Sequence, residues 1–112
     1  MGVLHVLVFG NDRHVNLYDF PQVDRLRSEN HDIITVGINR IWRRYWPDYL
    51  VFMDADVINE LIDNDVSPPP HTTLVTSAFL FDNPDRRLSD KEHEAFTRYL
   101  DSVPCNVKIL ER

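Results

Sequence analysis

Residues 49–53 read Tyr-Leu-Val-Phe-Met, an apolar run with no alternation, and residues 4–9 form a second, nearly continuous one that ends at Gly10. A strand with one wet face alternates apolar and polar side chains, whereas a strand covered on both faces does not. Runs of this length, bounded by glycine and acidic residues, therefore predict buried strands of a parallel sheet. Parallel strands need crossover segments, and the chain supplies them. Between the strand candidates 4–9, 33–38, 49–53, 73–81 and 107–110 lie segments with helical signals.

The first of these is 20–28, where Asp19 and Gln22 form a capping-box pattern and Pro21 sits in the first turn, the helical position that tolerates it. Residues 41–46 are short and very aromatic and predict a helix of barely two turns, stopped by Pro47. Residues 57–62 repeat apolar side chains four apart, Val57 with Leu61 and Ile58 with Ile62. The strongest helix follows Ser89, which pairs with Glu92 in a capping box, while Phe96, Tyr99, Leu100 and Val103 line one face and Pro104 closes it. The triple proline at 68–70 is a stiff loop, too short for a domain linker.

Five strands alternating with about four helices, joined by right-handed crossovers, predict a single α/β domain over 1–112. The expected form is a Rossmann-like, three-layer, doubly wound fold with helices on both faces of a mostly parallel sheet. Strand orders 3-2-1-4-5 and 2-1-3-4-5 both fit the pattern. Hydrophobic content of 43% and charged content of 27% in 112 residues support one ordinary folded core.

Composition removes several function classes. Twelve basic against eighteen acidic side chains give a net charge of −6, which argues against a general nucleic-acid binder. No apolar run approaches the ~20 residues of a membrane helix, and no signal-peptide pattern opens the chain, so a cytoplasmic protein is expected. Cys105 is the one cysteine, beside Pro104, and reads as an inert thiol that excludes an internal disulfide. Neither a G-x-G-x-x-G nor a P-loop pattern follows Gly10, which argues against the dinucleotide-oxidoreductase and P-loop classes.

Open parallel sheets bind ligands outside the carboxyl ends of their strands. This chain places Asn11, Asp12, Arg13 and His14 after the first strand, and Asn39 and Arg40 after the second. Asp54 and Asp56 follow the third, and Asp82 and Asn83 the fourth. Two carboxylates one residue apart at a strand end can share magnesium or manganese, which would neutralise a diphosphate. The structural alternative is that Asp56 caps the next helix while Asp54 bonds nearby amides. With no glycine-rich loop, an anion would rely on helix N-termini with Arg13 and Arg40. Of the histidines, only His14 and His71 fall in candidate loops; the arginine pairs 25/27 and 86/87 read as solvated helix faces.

Two stretches carry a resemblance. One is Val8-Phe9-Gly10-Asn11-Asp12-Arg13 with Asp19-Phe20 before a helix. The other is Thr35-Val36-Gly37-Ile38-Asn39-Arg40, then Trp46-Pro47-Asp48 and the apolar strand ending at Asp54. Over roughly residues 4–56 the chain resembles the nucleotide-handling half of the 6-hydroxymethylpterin diphosphokinase-like and sialyltransferase-like proteins. Residues 49–57 are also similar to the metal-binding D-x-D strand end of GT-A glycosyltransferases. The resemblance implies that Asn11 and Asn39 contact a nucleotide and that Asp54 lies beside its phosphates or sugar. The chain departs from the pattern after Gly-Asn, where Asp12 and Arg13 replace small residues, and at this length it lacks an acceptor-binding half.

The leading expectation is a minimal nucleotide- or nucleotide-sugar-binding, transferase-like protein. Asp54 and Asp12 are its candidate catalytic groups, Asn11, Arg13, Asn39 and Arg40 its ligand-binding groups, and Asp54 and Asp56 its metal ligands. The alternative is a non-catalytic interaction module acting on a protein partner or as a homodimer, for which Trp42, Tyr45 and Trp46 beside Arg43 and Arg44 would serve as an exposed surface. A hydrolase using Asp12, His14 and Asp54 on water is the third reading. A short enzyme must borrow walls for its pocket, so a homo-oligomer is expected.

Overall fold

The structure, a computed structural model, describes residues 5–10, 19–29, 32–78 and 89–110. Strand β1 is His5–Phe9 and helix α1 is Phe20–Glu29, whose start is held by Asp19 Oδ1 accepting the Gln22 N–H at 3.1 Å. Strand β2, Ile33–Ile38, runs into a 3-10 helix, Asn39–Arg43, and then into β3, Tyr49–Val51. Helix α2 is Ala55–Asp63, β4 is Thr73–Ser77, α3 is Asp90–Ser102 and β5 is Asn106–Leu110. The Ser89–Glu92 capping box of α3 is present in both directions. The predicted α-helix at 41–46 is instead the tighter 3-10 turn. The crossover from β2 to β3 has only residues 39–48 in which to return, about the minimum for a parallel connection.

The five strands make one all-parallel sheet, as the α/β reading requires. Their order, β1-β2-β3-β4-β5, is neither of the two expected. A right-handed crossover that always steps in the same direction lays every connecting segment on the same side of the sheet. Burial agrees with that. Phe9, Leu50, Phe52 and Leu74 on one sheet face join Ile41, Val57, Ile58, Phe96 and Leu100 from the crossovers in a single core. The register puts Val6, Val8, Ile34, Val36, Ile38, Tyr49, Val51 and Val75 on the opposite face. Several of these are wide open, Val6 at 52% and Val8 at 58%. The expected helices on both faces are therefore not found among the described residues, which form two layers. Apolar runs tell which surfaces favour dryness, and they do not tell what provides it.

At the amino ends of the strands a polar network ties α1 to the sheet. Asp48 Oδ2 accepts the Thr35 N–H at 2.9 Å and the Thr35 hydroxyl at 3.1 Å, and the Asp48 N–H donates to Thr35 Oγ1 at 2.8 Å. The other oxygen, Oδ1, pairs with the Arg27 guanidinium, which also donates to the Tyr45 hydroxyl at 2.9 Å. Tyr45 in turn donates to Asp24 at 2.7 Å. Burial, reinforced by Asp24 and opposed by Arg27, pushes the Tyr45 hydroxyl up to about 12, so it stays a donor. Arg27 is thus half-buried and engaged, which corrects its reading as part of a solvated helix face. No helix among the described residues is long and apolar enough to cross a membrane.

Candidate functional site

Beyond the carboxyl ends of β2 and β3 the chain turns sharply into its crossovers. Asn39, directly after β2, has φ 56°, in the left-handed region that asparagine tolerates better than other side chains. After β3 the chain continues extended through Phe52 and Met53 to Asp54, the N-cap of α2, whose Oδ1 accepts the Asp56 N–H at 3.0 Å. These two strand ends enclose a hollow of about 350 Å³ lined by Ile38, Asn39, Val51, Phe52, Met53 and Asp54. Two residues singled out from the sequence, Asn39 and Asp54, thus share one concavity. A comparable hollow of about 380 Å³ at the amino ends contains Arg27, Asp48 and His71. Its charged pair is spent internally, and His71 Nε2 donates to the Trp46 carbonyl at 3.1 Å. His71 therefore lies at the end of the sheet opposite the Asn39–Asp54 hollow.

Of the structural alternative drawn from the sequence, Asp54 does bond a nearby amide, that of Asp56, and thereby caps α2 itself, while Asp56 is an exposed first-turn residue and not the cap. Arg40 and Arg43 leave the 3-10 helix on the same side and converge on Glu60 of α2. Arg40 Nε donates to Glu60 Oε2 at 2.7 Å and Arg43 Nε to Oε1. The hydrogen bond to Glu60 raises the Arg40 guanidinium, with smaller contributions from the charges of Asp56 and Asp54. Arg40 is thus close to the two aspartates and anchored away from them. Among the described residues, no group of three or more His, Cys, Asp or Glu side chains gathers as a metal site. Asp54 and Asp56 alone would supply at most a partial cage, and phosphate oxygens would have to complete it.

Glu60 was not singled out from the sequence, although two arginines three residues apart in a helical turn call for a shared carboxylate. Burial pushes the Glu60 carboxyl up, but hydrogen bonds from Arg40 and Arg43 and their charges outweigh it and hold it below its ordinary value. A depressed carboxylate adds stability that is fully present above its unfolded value, 4.5, and disappears as pH falls through the lower folded value. Wild type is therefore expected to exceed Glu60→Gln in stability from pH 5 to 7, with the gap closing below about pH 4. Urea unfolding of both proteins across that range measures it, and a pH-independent gap would refute the pairing.

Asn11, Asp12, Arg13, His14, Asp82 and Asn83 lie outside the described residues. Trp42, Tyr45 and Trp46 pack against the core, with Tyr45 stacked on Phe20 at 4.9 Å and Trp42 on Trp46 at 5.8 Å. Most of their ring surface is consumed inside the fold. Burial pushes the Cys105 thiol up, in keeping with an inert cysteine. Comparison with family models, curated proteins and solved structures returned no match.

Proposed function

We propose that this domain binds a nucleotide or nucleotide sugar at the carboxyl ends of β2 and β3 and works as a minimal transferase-like protein. One observation carries the reading: Asn39 and Asp54, from different strands, line the same 350 Å³ hollow. The left-handed backbone of Asn39 supports it, because sparsely populated conformations concentrate at functional sites. In this reading the Asn39 amide hydrogen-bonds the nucleotide, while Asp54 and Asp56 hold magnesium or manganese against its diphosphate. Asn11 and Arg13 complete the ligand set, Arg40 contributes only its nearby charge because it is held by Glu60, and Asp12 joins Asp54 as a catalytic group. Catalysis would come from positioning and from neutralising a diphosphate leaving group.

Calorimetric titration with nucleoside mono- and diphosphates and nucleotide sugars, in manganese or in chelator, tests this. Manganese is expected to tighten diphosphate binding about tenfold or more, roughly 1.4 kcal/mol. Asp54→Asn should abolish that metal dependence while keeping the fold, since asparagine caps a helix as well as aspartate. Asn39→Gly keeps the left-handed backbone, deletes the amide, and should weaken binding with and without metal. Wild type that shows no metal-dependent nucleotide binding would remove the transferase reading. The interaction module would remain, favoured by the apolar sheet face that the described residues leave exposed.

A further inference from the structure

All-parallel sheets are almost always covered on both faces, because their strands are apolar on both. Here one face carries the core, exposed only toward its β5 edge at Ile109, and among the described residues the other face is in large part open. Val8 is 58% exposed, Val6 52% and Met53 50%, with Ile38, Tyr49 and Leu110 near 40%. Val6, Val8, Ile38, Tyr49 and Leu110 belong to four different strands of one face and Met53 follows β3, and by register the half-buried Val36, Val51 and Val75 of the same face lie between them, so these are not scattered singles. Isolated exposed apolar residues are ordinary, but a contiguous patch marks an interaction surface.

We infer that a second copy of this chain covers this face, sheet packed on sheet about a two-fold axis. Charge distribution favours that occupant. The chain has a net charge of −6, yet the described strand residues of this face include no Asp or Glu, and Lys108 is their single charged side chain. Two copies can therefore meet here without opposing their acidic surfaces. An anionic lipid surface would instead be repelled by the acidic excess. Shape agrees: two sheets of the same twist pack aligned about 10 Å apart, so the face is complementary to itself. The area is sufficient. Five strands about 4.8 Å apart and five residues of about 3.3 Å give roughly 400 Å² in projection. Pairing two such faces withdraws on the order of 1,000 Å² of accessible surface, the lower bound for a specific interface.

Ile38 and Val51 belong both to this face and to the wall of the Asn39–Asp54 hollow, which Met53, just past β3, also lines. Dimerisation would thus bring the second copy up to the rim of that hollow, although the dimer does not depend on what the hollow binds. The variants are placed away from it to keep the two questions separate. Val8→Lys and Tyr49→Glu each put a charge at an exposed position of the face, on β1 and at the amino end of β3.

Sedimentation equilibrium from about 1 to 200 µM is the test, a span that brackets micromolar self-association. Wild type is expected to shift from the mass of one chain to that of two. Both variants should stay at one chain throughout, with unchanged far-ultraviolet circular dichroism, while Arg98→Glu on the exposed side of α3 should associate like wild type. Wild type that remains a single chain at the highest concentration overturns the inference, whether because the face is covered from within the chain or by another partner. So does a dimer that survives both face variants.

Discussion

Gly37→Ala is expected to destabilise the protein by about 1–3 kcal/mol, the ordinary cost of overpacking a filled core. A Cβ built on Gly37 would overlap Ile41 Cγ2 and stand 2.8 Å from Pro47 Cγ. Ile41 is fully buried and the Pro47 ring is rigid, so neither neighbour can yield cheaply. The glycine is needed for space, since its φ is not positive. In a domain of about 100 residues each kcal/mol moves the melting temperature by roughly 4–8 °C, so the loss is easily read by thermal unfolding. Ile41→Leu moves the branch off Cβ and removes Cγ2, so the double variant Gly37→Ala/Ile41→Leu should recover part of the loss, with the Pro47 contact remaining. A neutral Gly37→Ala, or strict additivity in the double variant, would show that the crossover does not press on β2 as described.

That glycine shows what a sequence pattern hides. Gly37 belongs to the stretch Gly37-Ile38-Asn39-Arg40 that suggested a nucleotide site, yet its own reason is structural. The 39–48 crossover is so short that Ile41 and Pro47 must fold back against the strand they have just left. The same shortness turned the predicted helix at 41–46 into a 3-10 turn. Strands and capped helices were legible because apolar runs and Ser89–Glu92 spacing are local properties of the chain. Strand order was not, because it depends on which way each crossover steps, and no residue in a crossover encodes that alone. The identity of the α2 cap was misread for a smaller reason: Asp54 and Asp56 flank the helix start, and either is chemically suited to cap it.

At the candidate site the legible part was the address. Polar residues after apolar strands pointed to the carboxyl edge, and Asn39 and Asp54 do share a hollow there. The engagement of the charged residues was not legible. Arg40 looked available for an anion, and the fold commits it to Glu60 together with Arg43. Arg27 looked solvated, and the fold draws it against Asp48. Both pairs join residues far apart in the chain and form only once the crossovers pack on one side of the sheet.

Asp48→Ala should be the most damaging polar substitution, costing about 2–4 kcal/mol. A buried ion pair that loses one partner costs about 3–5 kcal/mol, and the lower figure here allows for the solvent that reaches this pair. The Arg27 and Asp48 side chains are 25% and 20% exposed. Loss of the carboxylate strands three donors at once: Nη2 of Arg27, the Thr35 N–H and the fully buried Thr35 hydroxyl. The Thr35 N–H lies just beyond the last paired position of β2 and β3, where Val36 meets Tyr49, so no ladder bond to β3 can replace Asp48. Asp48→Asn separates the contributions. Its amide oxygen can still accept from Thr35 while the attraction to Arg27 is lost, so it should cost about half as much, roughly 1–2 kcal/mol. Arg27→Met should resemble Asp48→Asn and should add little to it, because both remove the same pair. Urea unfolding of the three single variants and the Asp48→Asn/Arg27→Met double variant reads these differences directly. If Asp48→Ala costs no more than an exposed-surface change, within about 0.5 kcal/mol, the network does not hold α1 to the sheet.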